Sequence, residues 1–73
     1  MDTDIIISEN IRIIIKENYG TVSNLAKKLK ISPQALNDSI ADIKKGKYPS
    51  IKKLKKIAQT CNCDITDFFK MRK

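Results

Sequence analysis

Seventy-three residues, 41% of them hydrophobic, with a formal charge of +7, predict one small globular domain and exclude wholesale disorder. Two glycines and two prolines are too few for a strand-and-turn protein. Ser8, Glu9, Asn10 and Arg12 interrupt the isoleucines of 5–7 and 13–15, which excludes a transmembrane helix.

The start "MDTD" lacks the basic region of a signal peptide, so the expected location is the cytoplasm, with no membrane partner. Cys61 and Cys63, as C-N-C, stand too close together for a good disulfide, and with no histidine in the chain they lack the co-ligands of a metal site. They read as small apolar core residues. Without histidine, a Gly-rich phosphate loop or paired carboxylates, no catalytic residue, cofactor or metal is expected, and the chain does not read as an enzyme.

The charge is uneven. Residues 1–20 carry Asp2, Asp4, Glu9 and Glu17 against Arg12 and Lys16, whereas residues 21–56 carry ten lysines against Asp38 and Asp42. A basic middle in a short chain points to a polyanionic partner.

In chain order, Ile7, Ile11, Ile14 and Ile15 place one apolar face on a helix over 5–18, with Asp4 or Ser8 as cap and Gly20 closing it in a left-handed turn. Ile5, Ile6 and Ile13 lie off that face, as a second buried edge or a site for another chain. Val22, Leu25, Ala26 and Leu29 predict helix two over 22–30, capped by Thr21. Leu36, Ile40 and Ile43 predict helix three over 33–45, capped by Ser32, with Pro33 at its first position and Gly46 at its end. Ile51, Leu54, Ile57, Ala58 and Cys61 predict helix four over 51–60, capped by Ser50 and opposed by Lys52, Lys53, Lys55 and Lys56. Asp64 caps a last short helix with Ile65, Phe68 and Phe69. The result is an all-α chain of five short helices.

Helix two stops near Lys30 and helix three starts at Ser32-Pro33. Two short helices joined so tightly cross steeply, which is the helix-turn-helix unit, here about 21–45. Ala26 suits the close crossing, and Leu25, Leu29, Ile31 and Leu36 form the shared core. The N-terminal half of helix three is left jutting outward, a shape that suits the major groove of DNA.

The ordered set "TVSNLAKKLKISPQAL" and "KGKYPSIKKLKKIAQTCNCDITDFF" resembles the lambda-repressor-like, Cro/XRE-type helix-turn-helix family over roughly residues 9–69. The matching pieces are Leu25-Ala26, the Ser32 cap, the connection Gly46-Lys47-Tyr48-Pro49-Ser50, and Ala58 with Cys61 and Cys63. The resemblance implies a compact five-helix lambda-repressor-like bundle, a single domain over 1–73 that binds double-stranded DNA as a transcriptional regulator, usually a homodimer on a palindromic site. Three positions depart from the family pattern: Lys30 replaces the turn glycine, Val22 replaces a phosphate-clamping glutamine, and the stretch 36–46 is about three residues longer. Many members pair an arginine in helix one with a glutamate in helix three. The matching positions are Ile15 and Ile40, so both charges are lost together, and the two isoleucines are expected to touch.

On helix three, Gln34, Asn37, Asp38 and Pro33, with Ala41, face outward as the base-reading set. Gln34 and Asn37 suit adenine, and Asp38 can accept only from cytosine N4 and repels nearby phosphates. Thr21, Ser23 and Asn24 at the start of helix two, with Lys28, Lys44, Lys45, Lys47 and Tyr48, form the phosphate-binding set. Phe68, Phe69 and Met71, or the arm Ile5–Ile7, are the candidate self-association surfaces. The rival function is a helical protein-interaction module, of antitoxin or anti-repressor type, using the same helix three through Asp38 and Asp42.

Overall fold

Isoleucine at positions 7, 11, 14 and 15 gives one helical face, and helix α1 (Thr3–Tyr19) buries all four. The computed structural model describes residues 3–70. Among these follow α2 (Val22–Leu29), α3 (Pro33–Lys44), α4 (Ile51–Thr60) and a 3₁₀ turn, η1 (Ile65–Phe69). The fifth helix predicted from sequence is therefore a correction. Only five residues follow the Asp64 cap before Lys70 turns extended, and they close with short-range bonds such as Asp67 N–H to Asp64 C=O at 2.9 Å.

The caps follow the sequence at α2, α3 and α4. Thr21 accepts the Asn24 N–H, Ser32 the Ala35 N–H, and Ser50 the Lys53 N–H, at 3.1–3.2 Å. Asp64 and Asp67 make a reciprocal capping box around η1. At α1 the expectation fails. The helix already contains Thr3, so Asp4 lies in its first turn, and the Ser8 hydroxyl donates to Ile5 C=O inside the helix.

Three helices end alike. Lys30, Gly46 and Asn62 each take positive φ (61°, 87° and 62°), and the residue after each donates back five positions: Ile31 to Ala26, Lys47 to Asp42 and Cys63 to Ala58. These are Schellman closures. Lys30 thus does the work of the family's turn glycine at a cost of about 1–2 kcal/mol. The extra length between Leu36 and Gly46 is taken up as helix, since α3 runs 12 residues.

Helix α1 packs on α2, α3 and η1, while α2 packs on α3 and α4. Leu25, Ala26, Leu36 and Phe68 are completely buried, and Ile15 and Ile40 share the same core at 1% exposure each. Of the off-stripe isoleucines, Ile6 is buried, Ile5 is half-buried and Ile13 stays exposed. Ile6 and Ile7 therefore belong to a helix packed on the body and not to a free arm. Ile31 is half-buried against the core. Ile51 corrects the sequence reading: at the first turn of α4, on the margin of its apolar stripe, it is 60% exposed.

In the sequence Asn10 reads only as a break in the isoleucine runs. It is 1% exposed, and its side-chain amide donates to Phe68 C=O at 3.0 Å and Lys70 C=O at 2.6 Å, fastening the last turn to α1. Asn10→Ala leaves those carbonyls without that donor and is expected to destabilise the domain by about 2–4 kcal/mol in urea unfolding. An unchanged midpoint would show that the clamp is dispensable.

Candidate nucleic-acid interface

The backbone of α3 rests on α1 and α2 and stays apart from α4. Leu36, Ile40 and Ile43 fill its inner side. A period of 3.6 residues then sends Gln34, Asp38, Ala41 and Lys45 to the opposite side, where all four are exposed. Pro33 is exposed at the first helical position, and Asn37 is half-buried on the flank. Gln34 Nε2 donates to Asp38 Oδ1 at 2.9 Å, so these two side chains are joined one helical turn apart.

The residues expected from sequence to bind phosphate are spread over α2 and the exit of α3. At the start of α2, the Asn24 N–H is taken by Thr21, and the Asn24 side chain donates to Tyr19 C=O at 2.8 Å. Asn24 thereby locks the turn between α1 and α2. The backbone N–H groups of Val22 and Ser23 are the ones left pointing out of the helix end. Thr21 and Ser23 are exposed there, and Lys28 is exposed in the last turn of the same helix.

The second place is the exit of α3. Lys44, Lys45, Lys47 and Tyr48 are all exposed, and Lys47 and Tyr48 line an open cleft of about 240 Å³ with Ser39, Asp42, Pro49 and Lys53. Two partners here escaped the sequence reading. Lys53 Nζ donates to Ser39 Oγ at 3.1 Å, bridging α4 to α3. The Tyr48 hydroxyl donates to the Asp4 carboxylate, so the first turn of α1 holds this loop. Gly46 is held as glycine by its φ of 87°, and a Cβ there would also come within 3.2 Å of Asp4 Oδ2.

All ten lysines of residues 21–56 are exposed, and none forms an ion pair among the described residues, where the one salt bridge joins Lys70 to Asp67 at 2.8 Å. The middle of the chain therefore presents positive charge that no carboxylate of the described residues pairs with at ion-pair distance. The thiols contribute nothing ionised to it. Burial and then neighbouring Cys63 push Cys61 up to about 11. Burial, then Asp67 and Asp64, raise Cys63. Both shifts favour the protonated thiol, the weaker nucleophile. No helix of the described residues is long and apolar enough to cross a membrane.

No curated protein and no solved structure matches this chain. Residues 10–73 do match the family profile of the Cro/C1-type HTH DNA-binding domain, from the middle of α1 onward. With α2 and α3 packed together across a three-residue turn inside that match, the chain belongs to the Cro/C1-type helix-turn-helix DNA-binding family.

Proposed function

We propose that the domain is a sequence-specific regulator of transcription, repressor-like in action, that lays the N-terminal half of α3 in the major groove of double-stranded DNA. One observation carries this reading: an outward stripe of Gln34, Asp38 and Ala41 stands exposed on a helix supported from behind, beside lysines that form no ion pair among the described residues. Gln34, Asn37, Asp38 and Pro33 meet base edges. The start of α2 (Thr21, Ser23, Asn24), Lys28 and the α3 exit (Lys44, Lys45, Lys47, Tyr48) meet phosphates. Lys53 joins them, because its bond to Ser39 holds its ammonium beside α3.

A module this small touches few base pairs, so a two-fold homodimer on a palindrome is part of the proposal. Phe69 at 41% and Ile13 at 37% exposure are the apolar candidates for the dimer contact. Phe68, fully buried, serves the core, and Met71 lies outside the described residues.

Selection from a random duplex pool, with gel shift at low and high salt, tests the reading. A palindromic consensus supports it. No band at low salt sinks it and favours the protein-interaction alternative, for which exposed Asp38 and Asp42 on α3 are the supporting observation. Binding without a consensus reduces the function to non-specific coating. Two substitutions separate the roles. Lys47→Ala is expected to weaken binding to all sequences alike, lowering the salt slope by about 1. Gln34→Ala is expected to cost about 1–3 kcal/mol on the selected site and relax one base position. Equal losses from Gln34→Ala on every sequence would remove Gln34 from the reading set.

A further inference from the structure

The Gln34–Asp38 bond has consequences for what such a helix can read, and they rest on the DNA-binding reading above. A free glutamine amide can turn either end toward a base. Here Asp38 accepts one hydrogen from Gln34 Nε2. The reversed amide would set Oε1 against the carboxylate, oxygen facing oxygen. The amide is therefore fixed with its oxygen and one remaining N–H available. That pair of groups matches adenine, which offers a hydrogen from N6 and accepts one at N7, whereas guanine presents two acceptors.

Asp38 is constrained in turn. One carboxylate oxygen is occupied by Gln34, and both side chains are exposed on the outer side of α3. Once water is excluded, the other oxygen needs a hydrogen donor. Cytosine N4 and adenine N6 provide one in the major groove; thymine O4 and guanine O6 repel it. One helical turn of about 5.4 Å spans between one and two base steps of about 3.4 Å. The carboxylate also opposes phosphate attraction on any duplex, which penalises sites lacking the amino group.

We infer that Gln34 and Asp38 act as one reading unit, in which Asp38 orients Gln34 toward adenine and itself demands an amino-bearing base, cytosine or adenine, one or two steps away. Asp38 is thus a specificity determinant that lowers affinity for random DNA and raises the contrast between sites.

The full chain and the variants Asp38→Ala, Gln34→Ala and the double variant are each put through selection from a random duplex pool. Affinity is then measured by fluorescence anisotropy on the selected site, its single-base variants and a random duplex. Asp38 is exposed in the interior of α3, so alanine there keeps the helix, and a thermal melt checks it. The unit predicts that Asp38→Ala binds random duplex more tightly and loses the amino-base preference. It also predicts that adenine-over-guanine discrimination falls by about fivefold or more although Gln34 is intact. If Asp38→Ala leaves the adenine preference unchanged while Gln34→Ala abolishes it, Gln34 reads alone: the coupling is refuted and the groove-reading role of α3 stands. If Gln34→Ala leaves the selected sequence unchanged, the coupling falls and Gln34 leaves the reading set, whereas the absence of any consensus for the unaltered chain would sink the DNA-reading role itself.

Discussion

Phe68→Ala is expected to remove about 3–5 kcal/mol of stability, the largest effect of any single substitution considered. The ring is fully buried, and the short turn that carries it packs on both α1 and α4. A domain of this length has roughly 4–11 kcal/mol in total, so the variant loses a large fraction of its margin. The backbone at the same residue is held by Asn10, which donates to Phe68 C=O. Ring and clamp therefore act on one segment, and Asn10→Ala combined with Phe68→Ala should cost less than the separate losses added together. Urea unfolding followed by far-ultraviolet circular dichroism measures both. A loss under about 1 kcal/mol for Phe68→Ala would place η1 outside the cooperative unit.

Binding to the selected duplex is expected to collapse with salt. If about five lysines per protomer displace counterions, log K falls against log salt with a slope near −4 to −5. Raising salt from ~50 to ~200 mM then weakens binding roughly 250- to 1,000-fold. Lysines already held by internal carboxylates would release fewer counterions, but none of the ten between residues 21 and 56 is so paired among the described residues. Four of them, Lys52, Lys53, Lys55 and Lys56, lie on α4, and only Lys53 is seen reaching α3. A slope steeper than about −8 would mean that the whole α4 face joins the phosphates, and a slope near −1 would favour a protein partner for α3.

What was legible in the sequence is what local chemistry encodes. Thr21, Ser32, Ser50 and Asp64 announce helix starts because one side-chain oxygen beside a helical pattern suffices. The left-handed turn at Lys30 is implied by the family resemblance, in which Lys30 stands where a glycine is usual, and the outward stripe of α3 follows from periodicity alone. What was missed joins residues far apart in the chain: Asn10 to Phe68, Asp4 to Tyr48, Lys53 to Ser39. No local pattern announces such pairs. The exposure of Ile51 belongs with them, since a residue on the margin of a stripe is buried or not according to what stands opposite. Gln34–Asp38 is different. Its i, i+4 spacing was visible, yet Asp38 read as a charge that repels phosphate and not as a partner for Gln34.

The Asp4–Tyr48 bond ties the first turn of α1 to a loop more than forty positions onward. An affinity tag or reporter fused ahead of α1 therefore sits close to the lysine-bearing loop and can jam it or tug it out of place. Anyone tethering this domain to another protein has a mechanical reason to avoid that end or to insert a flexible spacer there.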